Sequence, residues 1–485
     1  MSYGVMQRSR CSAGCRGARP SATTLSRRAP APLRANAPAV SASAVEDAWI
    51  RANVAEPAAP SPVAGLAALR SSCSEALASL RMPTTRNEEY RFTDVAALTS
   101  AKLARPTAAA AVDAALLDSL RFPEAGGSAA VLVDGVLRPE LSDLASLPRG
   151  AYVGGAAGAP AAALERLGHL SNARGGPFAV VNGVLAGDAV VVVLPDGARL
   201  ARPLHIIHVA SGAGAGQGAL SASAPRLLVA LGRGAEAEVV EEFVSADSGA
   251  TAVFAVAEVL LGPGASLKHG YVQREAAGSV HLKSTLVDQA EGSSYNLVEA
   301  RVGGGLSRHD VGVAQCGPDT ATRMRHFLLA GAGQLQDLHS KLVLDHPRGE
   351  AEQLHKCIVS HASGRGVFDG NVKVNRLAQK TDAGQLSRNL LLVPRATVNV
   401  KPNLQIIADD VKCTHGAAIS DLSEEELFYF RARGIPAEVA RQSLVYSFGA
   451  EVVQALRYDR LVARIQADVV AALQVAEASI AGASK

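Results

Sequence analysis

Between about Val190 and Val411 the chain is a succession of short β-rich runs punctuated by glycine, with hardly a helical period among them. One corner repeats visibly: Leu231-Gly-Arg-Gly-Ala-Glu and Leu261-Gly-Pro-Gly-Ala-Ser sit thirty residues apart, each following an apolar strand and preceding another. A glycine near the same phase recurs at Gly292 and, more loosely, at Gly331 and Gly366. Irregular periods of this size fit the rungs of a solenoid, where no rung can bury its inward face alone and each is closed by its neighbours. A β-sandwich also gives short strands with glycine turns and is the competing architecture. The composition fits stacked layers of small side chains, because aromatics are only 4% while 48% of residues are hydrophobic.

The flanks read differently. From Val45 to about Arg81 the pattern is helical, with Leu66, Leu69, Leu77 and Leu80 among Arg, Ser and Glu, until Pro83 stops it. A second, Ala-rich helical stretch runs from about Ala108 to Leu120, so residues 46–125 read as an N-terminal helical region. Strands begin near Ala129, and Asp134-Gly135 and Asn182-Gly183 both have the chemistry of hairpin turns. The β core spans 126–420 on this reading, and helix returns in 421–485. There Ser423 and Glu426 form a capping-box pattern, Gly434 ends that helix, and Pro436 opens another with Ala440, Leu444, Phe448, Val452 and Leu456 at four-residue spacing.

Residues 1–45 carry seven Arg and seven Ser, with no Asp or Glu before Glu46, and no apolar run of signal-peptide length follows the first basic residues. That is the composition of an organelle transit peptide, and the Pro, Ala and Ser content leans toward a plastid; a disordered basic tail is the plainer alternative. The formal net charge of +3 comes largely from this segment, so no nucleic-acid footprint follows. Cys73, Cys316, Cys357 and Cys413 remain beyond it, too few and too scattered for a disulfide framework. No apolar run approaches the roughly 20 residues that span a bilayer.

Few residues offer chemistry. His205 and His208 lie three apart, which on a strand puts them on opposite faces, so they read as structural. His339, His346, His355 and His361 with Cys357 are dense but lack metal-ligand spacing, and polar rung residues fit them better than a zinc site. No P-loop is present, so ATP binding by this chain is not supported. Cys413-Thr-His415 differs: if the strand through Ala408 to Val411 continues, both side chains share a face, with Cα atoms roughly 6.5 Å apart. One thiol and one imidazole make an incomplete set for an iron-sulfur cluster, which usually takes four ligands, so the others would come from another chain. A buried Cys beside a hydrogen-bonded His is the plainer alternative.

The segment ADDVKCTHGAA (Ala408 to Ala418), with KTDAGQLSRNLLL (Lys380 to Leu392) before it and LFYFRARGI (Leu427 to Ile435) after it, resembles the SufB/SufD family, and within it the SufD type. Arg86-Asn-Glu-Glu-Tyr-Arg-Phe-Thr93 is similar to a front segment of the same type, with Tyr90 where Trp is commoner. The resemblance implies a right-handed parallel β-helix flanked by helical segments and a role as a scaffold subunit in iron-sulfur cluster assembly, not an enzyme. It implies pairing with a SufB-type subunit through the β-helices, binding of a SufC-type ATPase by the C-terminal helical region, and residence in the chloroplast stroma. It also places His415, as a metal ligand, and Cys413 at a transient cluster site shared with the partner. Two other readings stay open. A SufB-like chain holding a cluster unaided would need more thiols, and a carbohydrate-active β-helix enzyme would need clustered acids beyond the adjacent Asp409 and Asp410.

Overall fold

The computed structural model describes residues 47–54, 61–106, 110–145, 147–216 and 218–483, with side chains to residue 474; the 1–45 segment, with Cys11 and Cys15, lies outside the described residues. The core is a parallel β-solenoid of about seven turns, not a sandwich. Strands alternate between two sheets, and each pairs in parallel with the next strand of its own sheet. On one sheet Leu306, Leu335, Arg365 and Thr397 begin successive strands in register; on the other Ser294, Ala321, Glu350, Asp382 and Lys412 do.

In-phase pairing stacks each inward position on the same position of the next rung. Val229, Val259, Val287, Val313, Leu342, Val372 and Leu404 form one such ladder through the interior. Each fully buried member contributes about 1.5–3 kcal/mol of burial, and none could do so in an isolated rung. The repeated Leu-Gly-x-Gly motifs are the corners. Gly234, Gly264 and Gly292 all hold positive φ (61°, 69° and 64°), and Gly264 stacks against Gly234 so that a Cβ on it would lie 4.0 Å from the Gly234 Cα. Farther along, the corner role passes from Gly331 to Gly333, whose φ is 68°. Gly366 is no corner: it lies within the strand Arg365–Val374, where a Cβ would come within 2.7 Å of the Cys357 sulfur.

The Asp134-Gly135 hairpin forms as its chemistry predicts, with φ of 49° and 84° and with Val133 opposite Val136. The Asn182-Gly183 hairpin does not form. Pro177 sits at the first position of a helix, Pro177–Leu185, which carries both residues onto the outer face of the sheet. Gly183 is needed there because a Cβ would lie 2.2 Å from the Cys73 sulfur on the helix Ala64–Leu77. Asn182 is a buried connector: its amide donates to the Phe254 and Pro225 carbonyls, and its oxygen accepts from Arg226 Nε. Arg226 in turn pairs with Glu258 at 2.8 Å, and Glu258 also accepts the Gly168 and Ser171 backbone N–H groups. A wholly polar network thus fixes the N-terminal helices to this sheet. Within the Ala108–Leu120 stretch the helix is Ala114–Leu120, capped by Asp113; residues 107–109 lie outside the described residues.

The opposite sheet is covered by Ala437–Val453 and Asp459–Ala483, which bury Val240, Val272, Phe327, Leu329 and Ile358. Ser423 caps Glu424–Arg431 by accepting the Glu426 N–H. The stripe expected at four-residue spacing drifts, because four residues overshoot one helical turn by about 40°. Ala440 and Val452 are buried, Leu444 and Phe448 only partly, and Val445 and Gly449 take their place. Among the described residues no helix is long and apolar enough to cross a membrane.

Glu242 holds the last helix. Its carboxylate, on the outer face of the strand Glu236–Ser245, meets His205 Nε2 at 3.1 Å, Arg274 Nη1 at 3.1 Å and Arg464 Nη2 at 2.8 Å. Burial alone would push the carboxyl up; the His205 hydrogen bond and the charges of Arg464 and Arg274 outweigh it and hold it at about 2. A depressed pKa of this kind adds stability that is complete above the unfolded value of about 4.3 and is lost as pH falls toward 2. Glu242→Gln is therefore expected to cost about 3 kcal/mol at neutral pH, since it removes the buried carboxylate shared by the part-buried Arg464 and Arg274, of which Arg274 keeps its pair with Asp468. In urea unfolding followed by circular dichroism, its deficit against the wild type should shrink as pH falls from about 4.3 to 2; a deficit independent of pH in that window would contradict this assignment.

Candidate functional site at the end of the solenoid

Every inner rung is closed on both sides, but the last one is not. Among the described residues Thr397–Ile406 pairs only with Arg365–Val374, and Lys412–Ser420 only with Asp382–Leu391. Two strands therefore end the solenoid with one row each of backbone N–H and C=O groups unpaired. Pro402, which can donate no ladder hydrogen bond, is tolerated in such an edge strand. Ile406, Ile407 and Ile419 are about half exposed along this end.

Cys413 and His415 both lie on this terminal strand. The strand begins at Lys412, not at Ala408; residues 407–411 turn the corner, with Ala408 buried in the interior and Lys380 N–H donating to the Asp410 carbonyl at 2.6 Å. Two residues apart on one strand, Cys413 and His415 share the inward face. Cys413 stacks in register on Ala383 and packs against the interior core; His415 stands in register on Gln385 and is exposed, because no rung follows it. Burial, then the Asp382 carboxylate, pushes the Cys413 thiol up. Asp409 and Asp410 sit in the corner and supply no row of acids along a rung.

The other candidates disperse. His205 and His208 do face opposite sides: His205 meets Glu242 outside, and His208 stacks on Phe243 inside with ring centroids 4.0 Å apart. His355 is buried within, stacked on Phe368 and bonded to Ser387 Oγ at 3.0 Å. Cys357 is also interior, and burial pushes its thiol up to about 12. His339 pairs with Asp337 on the outer face, His346 lies half-buried in a corner, and His361 lies half-buried in a turn, bonded to Ser363. Among the described residues no group of three or more His, Cys, Asp or Glu side chains could hold a metal ion.

What sequence reasoning missed is a polar column inside the solenoid. Glu241 takes Lys283 Nζ at 2.7 Å and His269 Nε2 at 2.9 Å. Farther along, Glu299 Oε2 takes both His309 Nδ1 at 3.0 Å and His326 Nδ1 at 2.7 Å. Burial raises the Glu299 carboxyl, but the charges of His309 and Arg301, with the hydrogen bonds from His309 and His326, hold it well below the carboxylate range. Gln353 Nε2 then meets His326 Nε2 at 3.2 Å, and Gln353 Oε1 accepts from Ser340 Oγ at 3.0 Å and from Gln385 Nε2 at 2.9 Å. The column thus runs rung by rung to the residue beneath His415. Its signal lay in the sequence as polar residues at alternate positions of otherwise buried strands, such as Glu299 and Arg301, or Gln353 and His355.

Residues 212–448 match the family model of the SUF system FeS cluster assembly, SufBD core domain, and residues 58–206 match that of the SufBD protein N-terminal region. Protein ABCI7, chloroplastic, of Arabidopsis thaliana is 45% identical over 401 residues, covering 82% of this chain and 84% of its own length. A SufBD family iron-sulfur cluster assembly protein of Synechocystis is 33% identical over 408 residues, 82% of this chain and 89% of that one. The iron-sulfur cluster assembly protein SufD of Escherichia coli is 30% identical over 391 residues, 78% and 86% of the two chains. With two family models in tandem and relatives of this identity and coverage, the chain belongs to the SufB/SufD family of iron-sulfur cluster assembly proteins, and within it is SufD-like.

Proposed function

We propose that this chain is a non-catalytic subunit of a SufB-SufC-SufD-type scaffold and that it completes a nascent cluster site across the open end of its solenoid. The observation that carries the reading is the position of His415 and Cys413, two potential ligands on the inward face of an edge strand with no rung beyond. Long unpaired edges are aggregation hazards unless something covers them. A SufB-type solenoid presenting its own terminal strands would extend both sheets and bring the missing ligands at once. The cluster is cargo on this reading, held transiently and passed on. ATP hydrolysis belongs to the SufC-type partner, in keeping with the absence of a P-loop here. The Arg- and Ser-rich, acid-free segment before Glu46, together with the chloroplastic relative, supports import into the plastid stroma.

The C-terminal region divides by role. Ala437–Val453 and Asp459–Ala483 are committed to covering their own sheet, so deleting everything after Leu422 would strip an apolar face as well as any docking site. The short helix Glu424–Arg431 leaves Phe428 and Tyr429 71% and 56% exposed, and these aromatics fit the SufC-type contact. Joint replacement of Phe428 and Tyr429 by Ala is expected to weaken SufC-type binding at least tenfold in calorimetry, a loss of about 1.4 kcal/mol or more, without lowering the melting temperature. Unchanged affinity would move the contact elsewhere.

An imidazole ligates iron through a neutral ring nitrogen, and His415 is exposed, so its removal costs little packing. His415→Ala should leave the three-subunit complex assembled and its ATPase active while cluster build-up fails. Cys413→Ala should be milder if ligation rests on the imidazole, since the thiol also packs on the interior core. Normal cluster yield in an intact His415→Ala complex removes the residue from the site, and dissociation of that complex makes it structural.

A further inference from the structure

Gln385, 3% exposed, is the last buried polar residue of the interior column, and its Oε1 has no hydrogen-bond partner. The orientation of its amide is dictated from a distance. Glu299 is ionised and can only accept, so both histidine Nδ1 atoms facing it carry protons. With the imidazole neutral, His326 Nε2 carries the lone pair, and the group 3.2 Å away that donates to it is the Gln353 NH2. The Gln353 oxygen is thereby turned toward Ser340 and Gln385, and only the Gln385 NH2 can satisfy it from the next rung. Gly370, across the interior, makes room for that amide, since a Cβ there would lie 2.3 Å from Gln385 Nε2. With its nitrogen committed to the preceding rung, Gln385 is left with a bare carbonyl, and the residue in register on the following rung is His415.

We propose that Gln385 is the positioning residue of His415: its Oε1, unpartnered in the structure, takes one ring N–H when the exposed imidazole turns onto it, fixing the tautomer and leaving the other nitrogen's lone pair for the open end. A histidine that ligates metal almost always donates its second nitrogen to an oxygen acceptor, which sets ring orientation and raises basicity. The inference deepens the reading of His415 as an iron ligand and rests on it, but the tautomer can be measured without iron.

The test is nitrogen-15 NMR of histidine-labelled full-length chain, with His415→Ala to assign the ring. The wild type should show one tautomer of neutral His415, and Gln385→Leu, similar in volume but without an acceptor, the mixed tautomers of a free imidazole. Gln385→Glu, which keeps an acceptor of the same reach, should restore a single tautomer. A merely structural role for Gln385 would alter melting but not redistribute the ring proton. Mixed tautomers in the wild type, or an unchanged single tautomer in a folded Gln385→Leu, overturn the proposal. In the partner complex, Gln385→Leu should also lower affinity for Fe²⁺ alone roughly 10- to 100-fold. Normal cluster yield with His415→Ala would sink the ligand reading instead, and the tautomer result would still decide the role of Gln385.

Discussion

A parallel solenoid satisfies its backbone only through its neighbours. Each strand gives half of its hydrogen bonds to the rung before and half to the rung after, and each inward side chain is buried by the same position on both. The ladder from Val229 to Leu404 and the stacked glycine corners follow from that one requirement. So does the exposed edge at Thr397–Ile406 and Lys412–Ser420, because the last rung obeys the same geometry with nothing beyond it. The candidate site is therefore a consequence of the architecture: the fold places inward-facing side chains at its end and leaves them uncovered.

The outer faces of the sheets need covering too, and the chain meets that need from both ends. Its N-terminal helices reach one sheet through Asn182, Arg226 and Glu258, and its C-terminal helices reach the other through Glu242, Arg274 and Arg464. In both places buried charges are paired and hydrogen-bonded, the condition under which they are tolerated in an apolar layer. The same rule governs the interior, where Glu241 and Glu299 each sit among several donors.

Much of this was legible from the residues. The thirty-residue recurrence of Leu-Gly-x-Gly-Ala pointed to rungs, and Asp134-Gly135 pointed to a hairpin, because both rest on backbone conformations that glycine adopts cheaply. Asn182-Gly183 carries the same local signal and ended in a helix, since tertiary contacts with Cys73, Arg226 and Phe254 decided its conformation. Cys413 and His415 were readable as a same-face pair from strand period alone. The interior column was not, because a histidine or glutamate on a strand is taken for a solvent-facing residue until both faces of that strand are seen to be buried.

The central claim is that the terminal rung holds part of a ligand set and needs a partner to complete it. It is tested most directly by anaerobic reconstitution with iron and sulfide, following the visible chromophore and the iron and sulfide content per chain. The account predicts little bound cluster on the isolated chain and stable cluster once a SufB-type subunit is present. A stable, stoichiometric chromophore on the isolated chain would contradict it.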